Sequence, residues 1–328
     1  MDTSLIIRRA MLALALAVPA AAQRGNEPQS EHLRQAAQLI REGRETEAFA
    51  AVRRELQAEP DSMQAANLLD TLGMYKEARA IFQRRIDSAP DAAAKAAAER
   101  AMAMSYAFEN GCAPTVKYEQ MVIDYWRTRE AAEPQNAFFQ QGEMANEAAR
   151  VCVESGDLGA AEQWYRRGFE LGMKEPGNQT HPRSLWEYRL AHALGRIAAR
   201  RGDKAEAQRQ IAAARTALDG DPKMAEQQER FFPYLVGYVA LYTGDSKTAE
   251  AELTKALALE GNRTDPFMHC LLAMTYERLD QRDKANELYR RAFELATAHN
   301  PPSAFARPFA RQKLGLPRAA GPAGAQLR

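Results

Sequence analysis

The chain has 328 residues, with 44 Lys and Arg against 43 Asp and Glu, a formal net charge of +1. That balance lacks the basic excess that displaces counterions from phosphate, which sets nucleic-acid binding aside. Three cysteines are too few for a disulfide-stapled miniature, and the length exceeds one ordinary core unless the fold grows by addition.

The N-terminus reads as an address. Arg8-Arg9, the apolar run Ala10 to Val18, and the small residues Ala20-Ala21-Ala22 before Gln23 describe a secretory signal peptide over 1–22, cleaved after Ala22. The run is shorter than the roughly 20 residues that cross a bilayer, so no membrane span is expected after cleavage. Cleavage removes Arg8, Arg9 and Asp2 and leaves 42 basic and 42 acidic residues. Together with the abundance of alanine, it points to a periplasmic or secreted protein of a bacterial envelope. Residues 23–30 form a polar lead-in.

From residue 31 one spacing returns. Gly43-x4-Ala48-x3-Val52-x3-Leu56 is followed by Gly73-x4-Ala78-x3-Phe82-x3-Ile86, then by Gly156-Asp157-x3-Ala161 and Gly202-Asp203-x3-Ala207. Gly244-Asp245-x3-Ala249 and Asp280-x4-Ala285 complete the series, the last without its glycine. Each stretch sets apolar residues at i, i+4 and i+7 or i+8, one face of a helix. The glycine suits a tight turn, where a positive φ is free of Cβ clash. A second apolar-periodic stretch precedes each glycine, so the unit is helix, turn, helix. One such hairpin cannot bury its apolar face alone, and copies stack. The spacing fails over 92–135, which is read as a degenerate unit. Glu175 to Pro182 is a breaker cluster that delays the next helix until Ser184, expected as its cap ahead of Glu187. Segment 303–315 reads either as a polar C-terminal cap carrying Arg307, Arg311 and Lys313, or as a helix docked back through Phe305 and Phe309. Residues 316–328, rich in Pro, Gly and Ala without periodicity, are expected to be a disordered tail.

The last three units carry a more specific pattern. Leu272-Ala273-x2-Tyr276 precedes Ala285, Tyr289, Ala292 and Phe293 and closes on Asn300-Pro301; Leu194-Gly195 precedes Ala207, and Val236-Gly237 precedes Ala249. This resembles the tetratricopeptide repeat. The resemblance implies an all-α fold, a right-handed superhelical solenoid of about seven stacked helix-turn-helix repeats over 31–302. It also implies that the first helix of each unit lines a concave groove. Residues four apart share a helix face, and that rule selects Asn146 and Arg150 in one unit. It selects His192, Arg196 and Arg200 in the next, with Arg189 alongside, and Tyr234, Tyr238 and Tyr242 in the third. An arginine strip beside a tyrosine strip suits an extended peptide: guanidinium forks pair with carboxylates and carbonyls, and tyrosine adds rigid contact area with a polar tip. The alternative is that the tyrosines pack between helices and the arginines form a solvated face.

Cys112 and Cys152 lie near the turn ends of first helices in neighbouring units, and in an oxidising compartment a Cys112–Cys152 disulfide is expected. Equivalent points on adjacent repeats can also stand farther apart than the roughly 7 Å between Cα atoms that bridging allows. His32, His181, His192, His269 and His299 show no metal-ligand spacing, and there is no nucleophile elbow, phosphate loop or C-x-x-C. No cofactor, metal or catalytic residue is therefore expected. The functional expectation is a non-catalytic scaffold or adaptor of the bacterial cell envelope, binding a protein or peptide partner along the groove. The alternative is a periplasmic carrier or sensor that takes a small anionic or peptidyl ligand there.

Overall fold

Seven turns between paired helices each place one residue at positive φ: Gly43, Gly73, Asn110, Gly156, Gly202, Gly244 and Asp280. They set the rhythm of the chain. The computed structural model describes residues 30–177 and 181–317. The expected signal peptide, the lead-in through residue 29 and the tail from residue 318 lie outside the described residues.

All regular structure among the described residues is helical. The first hairpins are α1 (Glu31–Arg41) with α2 (Glu45–Ala58), α3 (Met63–Leu72) with α4 (Tyr75–Asp87), and α5 (Ala92–Ala107) with α6 (Cys112–Arg127). Next come α7 (Pro134–Ser155) with α8 (Leu158–Gly172), and α9 (Arg183–Arg200) with α10 (Lys204–Gly220). A short helix α11 (Pro222–Gln228) and a 3-10 turn (Glu229–Phe231) lead to α12 (Phe232–Thr243) with α13 (Ser246–Ala258). The hairpin α14 (Pro266–Arg278) with α15 (Arg282–Leu295) and the single helix α16 (Pro301–Lys313) complete the stack.

The Gly-Asp pairs have a local reason. Glycine ends one helix in the left-handed conformation, and the aspartate after it caps the next. Asp157, Asp203 and Asp245 accept from the backbone N–H groups of Ala160, Glu206 and Thr248. Five residues past each turn, Ala48, Ala78, Ala161, Ala207 and Ala249 are fully buried and Ala285 nearly so. A larger side chain there would hold the paired helices apart.

The irregular stretch 92–135 folds as the pair α5–α6 and the turn before Pro134. Asn110 takes the place of the turn glycine, and Thr115 that of the buried alanine. Its hydroxyl donates to the carbonyl of Ala103 at 3.1 Å, so a polar atom fits the crossing. Helix α9 begins one residue before Ser184, behind Pro182. Ser184 donates its hydroxyl to Asp221 at 2.5 Å and accepts no cap bond from its own helix, so the expected cap is not formed.

The stack returns on itself. Helix α1 touches α15, and α16 packs against α3, α5 and α7 as well as α14 and α15. Ala304 and Phe305 of α16 join Met104, Phe108 and Val151 in one apolar cluster. Arg307 and Arg311 both bind Glu45 of α2, at 2.5 and 2.7 Å. His299 Nε2 stands 2.9 Å from Asp70 Oδ2, whose other oxygen accepts from Ser105 Oγ at 2.8 Å. Helix α16 is thus docked inward and does not present Arg307 and Arg311 to solvent: both are buried.

Candidate functional site

The inner positions of α7, α9 and α12 were selected by spacing, and the structure brings most of them together. Arg196 donates to Tyr165 Oη at 2.9 Å and to Tyr234 Oη at 3.4 Å. Arg200 donates to Tyr238 Oη at 3.3 Å and Tyr242 Oη at 3.4 Å, and pairs with Glu154 at 3.5 Å. Tyr238 in turn donates to Glu154 Oε1 at 3.4 Å. The rings of His192 and Tyr234 lie 5.3 Å apart, and those of Tyr238 and Tyr242 4.6 Å apart.

These groups meet inside the protein. Tyr238 is 0% exposed and Arg196 7%, and Asn146, His192 and Tyr234 are also buried. The strips are therefore an interior network: Arg196 is occupied by two hydroxyls and the His192 carbonyl, and Arg200 by two hydroxyls and the Glu154 carboxylate. Burial pushes the Tyr234 hydroxyl up to about 12, and it raises Tyr238 and Tyr242 as well. Burial, with Arg196 adding to it, drives His192 well below its usual range, so its imidazole is neutral. Burial also lifts Glu154, while Arg200 and Arg196 pull it down.

Two selected residues behave differently. Arg189 is half-buried, bound to Glu143 at 2.5 Å and lying over the rings of Phe139 and Trp186. Arg150 is exposed and makes no hydrogen bond or ion pair among the described residues. Its charge reaches His192 and Asp265.

Two members of the network escaped the sequence reading. Glu154 stands four residues after Arg150, so the same i+4 rule reaches it. Tyr165 lies on α8, a second helix, and no spacing rule for first helices finds it. Among the described residues no group of three or more His, Cys, Asp or Glu could hold a metal ion, and no helix is long and apolar enough to cross a membrane. Cys112 and Cys152 are bonded, with Cα atoms 4.6 Å apart. Cys112 opens α6, the second helix of its hairpin, and does not end a first helix.

Residues 268–299 match the family model of the tetratricopeptide repeat. No curated protein sequence matches this chain. Among solved structures it is similar to the TPR domain of P58(IPK), with 13% identity, over 87% of this chain and 97% of that chain, at a TM-score of 0.31. The matched span covers α14, its turn and α15. Among the described residues the chain is an all-α stack of helical hairpins, and its last complete hairpin, α14–α15, matches the tetratricopeptide-repeat model.

Proposed function

We propose that this protein is a non-catalytic interaction scaffold of the bacterial cell envelope, taking a peptide or partner protein on its concave side. The observation that carries this reading is Arg150. Among the described residues it is an exposed guanidinium on α7 with no hydrogen bond or ion pair, whereas Arg189, Arg196 and Arg200 of α9 are each bonded to neighbouring side chains. Stacked repeats give such a protein an extended inner surface, and an arginine fork recognises carboxylates and backbone carbonyls. The basic, apolar and small-residue order at the N-terminus supports export, and a bonded cysteine pair suits an oxidising compartment. The buried Tyr–Arg network is the support beneath the surface that binds.

The test is capture of partners from envelope membrane extract by the mature protein, comparing wild type with Arg150→Glu. Arg150 is exposed and makes no hydrogen bond or ion pair among the described residues, and retention of the wild-type helical circular dichroism checks that the variant is folded. Reversing its charge sets repulsion against an acidic partner, and recovery of the specific partner falls about tenfold or more. Equal recovery by both proteins rejects the inner face as the docking surface. A small anion retained by purified wild type and lost in Arg150→Glu points instead to a carrier.

A further inference from the structure

Glu119 of α6 sits where the second helices of other hairpins bury Val52, Phe82, Tyr165, Leu253 and Tyr289, four residues past the anchor position. It is 1% exposed, and neither of its carboxyl oxygens accepts a hydrogen bond. An ionised carboxylate there would bear its desolvation penalty with no hydrogen bond to offset it.

The charges around it are already matched. The helices packed on α6 are α5 and α7. From α5, Arg100 grips Glu147 of α7 with both ends of its fork, at 2.6 and 3.2 Å. Glu143 of α7 is held by Arg189 of α9. Glu99 of α5 is paired with Lys95 and acts on Tyr118. Two guanidinium groups thus answer two carboxylates, and Glu119 is the third acid, with no cation left for it. Glu147 stands within hydrogen-bonding reach of Glu119. Two ionised carboxylates would repel, whereas a carboxylic acid has one proton to donate.

We propose that Glu119 is a carboxylic acid in the folded protein, donating its proton to Glu147, and that this acid–carboxylate pair is a pH-sensitive joint between α6 and α7. The balance is simple: the proton stays on Glu119, Glu147 keeps its charge, and Arg100 neutralises it. Deprotonation would leave the cluster one negative charge in excess. Burial holds the Glu119 carboxyl well above its usual range, Glu147 adds to the effect, and Arg100 opposes it only in part. An acid raised on folding stabilises the fold most at low pH. Stability is lost as pH rises from the unfolded value, about 4.5, through the folded one. The Cys112–Cys152 bond ties the same two helices.

The experiment is carbon-13 NMR of the glutamate carboxyls in the mature, disulfide-bonded protein near pH 7. The Glu119 resonance is identified by its absence from Glu119→Gln, or from Glu119→Met if the first variant does not fold. It is expected at the position of a protonated acid. In Glu147→Gln the Arg100 fork is vacated, so Glu119 ionises to fill it and its resonance moves to the ionised position. In Glu119→Gln the unfolding constant rises less steeply with pH, by up to about tenfold per pH unit across the titration window. An ionised Glu119 in wild type near pH 7 overturns the proposal. A protonated Glu119 that ignores Glu147→Gln overturns the shared proton.

Discussion

Asp280 holds a left-handed backbone, φ 57°, at the turn where five other hairpins place glycine. For an L-residue that conformation costs about 1–2 kcal/mol, and among the described residues no side-chain hydrogen bond or ion pair of Asp280 offsets it. Asp280→Gly is therefore expected to stabilise the protein by about 0.5–1 kcal/mol, after the added freedom of the unfolded chain is subtracted. A urea midpoint that stays put or falls would show that the aspartate has a role of its own. The opposite outcome is expected at Gly172, where a Cβ would stand 2.2 Å from Trp186 Cε2. Gly172→Ala should lose about 1–3 kcal/mol in the same assay, since the indole is fully buried and has nowhere to move. Gly195→Ala, whose nearest neighbour is Leu235 Cδ1 at 3.3 Å, should lose much less. Most of the repeat was legible at this scale because alanine and glycine fill positions where nothing larger fits. The hairpin α5–α6 was not, because Asn110 and Thr115 solve the same two problems with other letters. Asparagine tolerates the left-handed turn, and the threonine hydroxyl finds the Ala103 carbonyl.

Between elements, α6 and α7 are the pair with a covalent tie. The Cys112–Cys152 bond closes a sequence separation of 40 residues, for which the loss of loop entropy in the unfolded chain is worth about 3–4 kcal/mol. Replacing both cysteines by alanine should lower the unfolding free energy by about that amount in urea titrations. Reductant should reproduce the loss in wild type and leave the variant unchanged. A loss under about 1 kcal/mol would mean that packing alone fixes the joint. Helix pairing explains what the sequence could convey about the inner face. Spacing by four along α9 and α12 found side chains that meet one another, since helices of one stack keep that register. It could not give their depth. Tyr165 comes from α8 and closes over Arg196, and contacts from a second helix leave no mark in the periodicity of the first.

The molecule as a whole is held shut by groups far apart in sequence. Glu45 and Arg307 are separated by 262 residues and meet at 2.5 Å, and Arg311 adds a second fork to the same carboxylate. No local pattern announces such a meeting. In the sequence these arginines read equally well as the polar face of a terminal cap. Arg307 is 1% exposed; burial draws its guanidinium down to about 10 while Glu45 pulls it up, so it stays charged at neutral pH. Its other bonds, to the carbonyls of Phe293 and Ala296, bring no countercharge. Glu45→Ala would leave that charge buried and unanswered, which destabilises by about 3–5 kcal/mol. The closure between the first hairpin and α16 should then give way before the stack does. Small-angle scattering is expected to show a larger radius of gyration for Glu45→Ala, with the helical circular dichroism retained. Added salt should not reproduce the effect in wild type, because the pair is shielded from solvent, unlike the many exposed pairs along the outer helices. Unchanged scattering together with unchanged stability would mean that the apolar cluster of Phe305, Phe108 and Met104 closes the ring by itself.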